Sequence, residues 1–217
     1  MKTSALVSGQ AQAEADKLAS WLAARAGKLT ASRMGDAIAT LKSGAWAKSR
    51  ADLIRDLLAE RMTGLSIRHY VTPAMEWGTQ TEPEAKWAYT AHTGVEIAPC
   101  GFYDHPLIDN FGATPDGLIG RDGVVEVKCP TTGTFIEWIM AGAGVVPETH
   151  KAQMLAQLAC TGRKWAEFVA YDPRIKDERK KLFVCRYEPA AAEIQKVEEQ
   201  AAAFLADVDK AWEVLNS

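Results

Sequence analysis

Between Ala11 and Ala26 the positions Leu18, Trp21, Leu22 and Arg25 recur at helical spacing, and Gly27 follows as a stop, so the pattern predicts an amphipathic helix. Residues 1–9 show no such period and are expected to form a loose tail. Thr30 stands where it can cap a short helix running to Ile38. A further helix over 48–63 would turn Leu53, Ile54, Leu57, Leu58 and Met62 inward. After a polar, turn-prone stretch around Ser66 to Pro73, Pro83 suits a first helical turn, which predicts a helix from about Gln80 or Thr81 to His92-Thr93-Gly94 with Glu82 near its start.

The period then shortens. Gly94 to Tyr103 has strand composition, and Asp104-His105-Pro106 reads as a turn in which His105 is a turn residue. Leu118-Ile119 and Val124-Val125-Glu126-Val127-Lys128, joined by Arg121-Asp122-Gly123, form a predicted hairpin. Thr131 and Thr132 can cap a helix carrying Phe135, Ile136, Trp138 and Ile139, which Gly142 to Gly144 end; Pro147 opens the next. There Gln153 and Gln157 share a face with His150, while Met154, Leu155 and Leu158 point elsewhere. Trp165 to Tyr171 and Leu182 to Tyr187 have strand composition around a charged turn. A long helix from Pro189 to Leu215 displays Ile194, Val197, Ala201, Phe204, Leu205, Val208, Trp212 and Leu215, expected to pack on the sheet or on a neighbouring subunit.

The hairpin carries the chemistry. Alternation places Glu126 and Lys128 on one face, opposite Val125 and Val127, and Asp116 begins the preceding strand. Two carboxylates and an ammonium in a small volume suit a divalent cation and an activated water; taken alone, they also suit a surface hairpin with an ordinary ion pair. Composition changes this little. The chain has 217 residues, 47% hydrophobic and 24% charged, which fits one large domain. No apolar run approaches the roughly 20 residues of a membrane span and the N-terminus lacks a secretory apolar core, so a cytoplasmic protein with no membrane partner is expected. The net charge of −3 does not advertise a nucleic-acid binder, although a local basic groove would suffice. Cys100, Cys129, Cys160 and Cys185 are widely spaced without a CxxC pair, which argues against a zinc site or a disulfide framework.

Pro115-Asp116 followed by Glu126-x-Lys128 resembles the signature of the PD-(D/E)xK nucleases, and the flanks Thr114-Pro-Asp-Gly-Leu118 and Glu126-Val-Lys-Cys-Pro130 look like those of the phage lambda exonuclease, or YqaJ-type viral recombinase, family. Trp21-x-x-x-Arg25-x-Gly27-x-x-Thr30-Ala31-Ser32 and Trp77-Gly-x-x-x-Glu82 look like further blocks of that family. The resemblance, which runs over about residues 20–175 and weakens in the N-terminal tail and the final helix, implies an α/β fold with a restriction-endonuclease-like core, a central mixed sheet flanked by helices; with the length of the chain, residues 1–217 are then expected to form one domain. It implies Asp116, Glu126, Lys128, Gln153 and Glu82 as catalytic residues, and Asp116, Glu126, Glu82 and the Val127 carbonyl as ligands of magnesium, two ions with manganese an admissible substitute. Arg25, Ser32 and Thr114 would hold the 5′-phosphate of a DNA end, and Met75 would be an apolar wedge at the duplex end, a role that core packing explains equally well. Thr114 stands where serine is expected, and His150 where tyrosine is.

The activity so implied is 5′-to-3′ exonucleolytic digestion of one strand of linear double-stranded DNA, leaving a 3′ single-stranded tail for recombination by strand annealing. The implied partners are duplex DNA ends, two further copies in a homotrimeric ring, and a single-strand annealing protein. Another PD-(D/E)xK nuclease, either structure-selective or RecB- or Cas4-like, and a non-catalytic DNA-end-binding ring remain as alternatives.

Overall fold

The computed structural model describes residues 2–67, 72–142 and 144–217, excepting the side chains of residues 1–11, 13 and 14. Helix α1 (Lys2–Arg25) leads through Gly27, whose φ of 71° reverses the chain, into strand β1 (Leu29–Thr30), a 3-10 turn (Ala31–Arg33) and α2 (Met34–Ala37). The helix therefore starts at Lys2 rather than near Ala11, and the expected tail is helical, because no proline interrupts an alanine-rich segment. Thr30 occupies the cap position, yet its hydroxyl pairs with Ser32 Oγ at 3.2 Å instead of closing the helix end. Helix α3 (Lys48–Thr63) matches its expected bounds and buries Leu53 and Leu57, but Met62 is exposed on its outer side.

Helix α4 (Pro73–Thr93) departs most from expectation. Pro73 follows the capping residue Thr72, whose side chain accepts from Met75 N–H, and the helix runs a full two turns before reaching Pro83. Pro83 thus lies inside the helix and leaves the Thr79 carbonyl without its usual intrahelical donor. Of the turn expected around Ser66 to Pro73, residues 68–71 lie outside the described part.

The strands form two mixed sheets. One has the order β1-β3-β2, with β2 (Tyr103–Asp104) antiparallel and β1 parallel to β3 (Phe111–Ala113). Residues 95–102 do not form the expected strand: only Ala98 bridges to Leu118. His105 is a turn residue, its Nδ1 accepting from the backbone of Leu107 and Ile108. The second sheet has the order β4-β5-β6-β7, from β4 (Gly117–Ile119), β5 (Gly123–Lys128), β6 (Trp165–Tyr171) and β7 (Leu182–Tyr187). Strands β4 and β5 are the expected hairpin, while β5 and β6 are parallel and connected through α5 (Thr132–Met140) and α6 (Glu148–Thr161). Such a connection puts helices over one face of a parallel pair.

Period two in β5 divides two cores. Val124 packs with Phe135, Met154, Leu158 and Phe168 under α5 and α6. Val125 and Val127 pack with Ala85 and Tyr89 of α4 on the opposite face. Two tyrosine hydroxyls pin α4 to β6, Tyr89 donating to Glu167 at 2.6 Å and Tyr171 to Glu84 at 2.7 Å. Helix α7 (Ala191–Asn216) buries Val197, Ala201, Phe204, Leu205 and Val208 against α3 and α6, in a core that also takes in Leu29, Phe111 and Ala113 of the β1-β3-β2 sheet, and Leu215 is exposed.

Where β6 ends, the fully buried Asp172 accepts from Arg174 Nε at 2.7 Å and from Thr132 Oγ1 at 2.6 Å, while Arg174 also donates to the Pro130 carbonyl at 2.8 Å. Burial alone would raise the Asp172 carboxyl, but its hydrogen bonds from Arg174 and Thr132 prevail and hold it below the ordinary range. Its stabilising contribution is therefore present above the unfolded-state value and disappears as pH falls through the folded one. Asp172→Asn is expected to lower stability at neutral pH by about 1–2 kcal/mol, with the gap to wild type closing in acid when both are melted across pH.

Candidate functional site

Asp116 precedes β4 and hooks onto the next strand: its backbone N–H donates to Val125 O at 3.1 Å, and its Oδ2 accepts from Val127 N–H at 2.7 Å. These bonds hold the carboxylate at the end of β5, where a cleft of about 330 Å³ opens, lined by Gly78, Thr79, Glu82, Asp116, Lys128 and Trp138 among others. Glu126 lies beneath it and is 1% exposed. Lys128 Nζ is ion-paired with Glu126 Oε1, which also accepts from Gln153 Nε2 at 2.6 Å. Gln157, one turn further along α6, donates to Glu126 Oε2 at 2.5 Å.

Glu82 enters from α4, and its Oε1 is 2.6 Å from Lys86 Nζ. It projects from mid-helix, so acids placed to stabilise a helix N-terminus no longer account for it. Glu84, two residues on, is instead engaged by the Tyr171 hydroxyl. Met75 is exposed at the rim of the cleft, which removes core packing as its explanation.

The electrostatics follow from this convergence. Burial, then the charge of Glu126, then that of Glu82, raise the Asp116 carboxyl well above the ordinary range against the opposing pull of Lys128 and the Val127 N–H. Burial tends to lower Lys128, but the charge and hydrogen bond of Glu126, together with Asp116 and Glu82, outweigh it and hold the ammonium firmly charged. His150 is packed edge-on to Trp138 and stacked on Phe168; burial and then Lys128 lower it to about 4, so at neutral pH it is an uncharged aromatic wall.

The donors available at this cleft are carboxylate and carbonyl oxygens, the hard ligands that magnesium takes. Among the described residues no three acidic, histidine or cysteine side chains are already gathered into a closed cage. Glu82 and Glu126 are held by Lys86 and Lys128, while Asp116 bears repulsion from both acids that a divalent cation would relieve. On that ground Asp116, with Glu126 and Glu82 beside it, suits such an ion, and Val127 lines the same cleft.

The second predicted cluster lies apart from this cleft. Trp21 Nε1 donates to Thr114 Oγ1 at 3.1 Å, and the Arg25 guanidinium stacks 4.1 Å from the Trp21 ring. Burial and the neighbouring Arg33 lower Arg25, and Glu60 opposes them. Arg33 is itself ion-paired with Glu60 at 3.1 Å and with Asp56 at 3.2 Å, so the two arginines stand against two acids, and Thr114, two residues before Asp116, joins this corner to the strand that leads to the cleft. Ser32 is exposed at the start of the 3-10 turn.

The family model for the YqaJ-like viral recombinase domain matches residues 20–164. Among solved structures, an alkaline exonuclease (LHK-Exo) from Laribacter hongkongensis is 40% identical over 91% of this chain and 95% of its own, with a TM-score of 0.82. LHK-Exo in complex with dAMP aligns at the same identity and TM-score over 90% of this chain and 95% of its own. A phage related exonuclease from Haemophilus somnus 129PT shares the fold at 12% identity, with a TM-score of 0.66 over 87% of this chain and 96% of that one. No curated protein matches the sequence significantly. With its mixed sheets flanked by helices and a family match covering two thirds of its length, the chain belongs to the YqaJ-like viral recombinase domain family.

Proposed function

We propose that the protein is a magnesium-dependent 5′-to-3′ exonuclease that digests one strand of linear double-stranded DNA and leaves a 3′ single-stranded tail for strand annealing. The observation that carries this reading is the meeting of Asp116, Glu126 and Lys128 at one end of β5, with Glu82 reaching the same cleft from α4. The similarity to alkaline exonucleases agrees with it. When bound, magnesium supplies positive charge for the phosphate and makes a coordinated water more acidic. Lys128 holds the attacking water or offsets charge that grows on the phosphate oxygens. Asp116 and Glu126 fix that centre from below, Gln153 orients Glu126, and Glu82 closes the side facing α4. Met75 stands at the rim as an apolar wedge against the terminal base pair.

The Trp21, Arg25, Ser32 and Thr114 corner receives the 5′-phosphate, which places the scissile bond at the chain end. The ring of three copies and the annealing partner complete this reading. Among the described residues no helix is long and apolar enough to cross a membrane.

The test is an end-labelled linear duplex incubated with the purified chain, with and without magnesium. Only the strand carrying the 5′ end at each terminus should shorten, and only with the metal; cutting of a covalently closed circle would instead favour a structure-selective nuclease. Arg25→Ala should erase the preference for 5′-phosphorylated over 5′-hydroxyl ends. A charge-assisted phosphate contact contributes about 1.5–3 kcal/mol, so the rate ratio should fall roughly 10- to 100-fold, while cleavage of hydroxyl ends is little changed.

A further inference from the structure

Two glutamines grip Glu126, and they are not equivalent. Gln153 is half-buried, and shares Glu126 Oε1 with Lys128. Gln157 is fully buried, and among the described residues it is the donor on Oε2. Its own amide oxygen has no hydrogen-bond partner among the described residues. An unmet buried acceptor is costly, and reversing the amide would set that oxygen against the carboxylate. A core position chosen for packing alone would favour an apolar side chain of similar volume. The geometry thus retains a donor at the expense of an orphaned acceptor.

We propose that Gln157 is a positioning residue, which locks the plane of the Glu126 carboxylate so that its free lone pairs face the divalent cation of the cleft. It cannot touch substrate, being fully buried, and it acts through Glu126. A carboxylate held by donors at one oxygen only can swing about its last bond; donors on both oxygens remove that freedom. Partners of this kind around metal ligands typically account for 10- to 100-fold in metal affinity. The proposal rests on the nuclease reading and adds to it a residue whose role is separable from contact with DNA.

The experiment uses the full chain free of DNA and follows its melting temperature as magnesium is titrated, since an ion that binds the folded state raises it by mass action. Gln157→Met removes both the donor and the orphaned oxygen. Because it also leaves Glu126 Oε2 without that donor, its melting temperature without magnesium should lie somewhat below that of wild type, while the magnesium concentration giving half the thermal shift should rise roughly tenfold or more. The magnesium requirement for cleavage should move in parallel, and the rate at saturating metal should approach wild type. A folded Gln157→Met protein with an unshifted magnesium midpoint overturns the proposal. If that variant does not fold, Gln157→Asn, which keeps the amide but shortens its reach, should show the shift; an unshifted midpoint there, or failure of both variants to fold, assigns Gln157 to the core and also overturns it. If wild type and Asp116→Asn alike ignore magnesium, the nuclease reading fails and this proposal with it, whereas a normal wild-type response beside unshifted Gln157 variants sinks this proposal alone.

Discussion

A folded Asp116→Asn protein is expected to lose cleavage by roughly 10³-fold or more, and Lys128→Ala by roughly 10²- to 10³-fold, the range seen when a group that stabilises developing charge is removed. The amide in Asp116→Asn keeps an oxygen for the Val127 N–H, so the hook that joins β4 to β5 survives. What disappears is the negative charge, and with it the repulsion from Glu126 and Glu82. Measured without divalent cations, the variant should therefore melt no lower than wild type. The pH dependence sharpens the test. Because the folded Asp116 carboxyl lies above its ordinary 3.8, the folded chain binds this proton more tightly than the unfolded chain does. Its contribution to stability is complete below 3.8 and is lost as pH rises through the elevated folded value. Asp116→Asn should remove that decline from the metal-free melting curve, whereas a folded, fully active variant would refute the role given to Asp116.

The same residues show how much of the site was legible in the sequence. Strand β5 was readable because period two is a local property: valines alternate with Glu126 and Lys128, and the two cores on either side of the sheet confirm the division. Glu82, which lines the cleft, is singled out only through the family block, since Pro83 suggests a first turn whereas the helix begins at Pro73. Interior and first-turn prolines look alike in one sequence, and here tertiary contacts through Tyr89 and Tyr171 hold the helix past its proline. The segment 95–102 has strand composition but finds only one bridging partner, at Leu118; propensity indicates an extended chain and not whether a neighbour is there to pair with. Gln157 was visible on the face of Gln153, four residues away. Nothing local indicates that this face meets Glu126, because the two are brought together by the parallel crossover from β5 to α6.

Gly112, inside the Phe-Gly-Ala-Thr-Pro-Asp run, has a requirement that only the fold reveals. It sits mid-strand in β3, opposite Thr30 on one side and Asp104 on the other. A Cβ there would lie 2.2 Å from Phe102 Cζ and 2.8 Å from the Tyr103 carbonyl oxygen. The phenyl ring has some freedom to rotate away, but the backbone oxygen belongs to the paired strand and cannot retreat without opening the sheet. Gly112→Val should therefore cost about 3 kcal/mol, at the upper end of overpacking effects, a fall of roughly 6–12 °C in Tm for a chain of this length. Gly133→Ala, where an added Cβ meets nothing within 4 Å in helix α5, is the control and should hold or raise Tm. Since β3 leads directly into Thr114 and Asp116, the displaced strand should also weaken discrimination of 5′-phosphate ends at temperatures where the variant is still folded. A Gly112→Val protein that melts with wild type would mean that the β1-β3-β2 sheet yields freely. The position of Asp116 would then have to be fixed by its bonds to Val125 and Val127 alone.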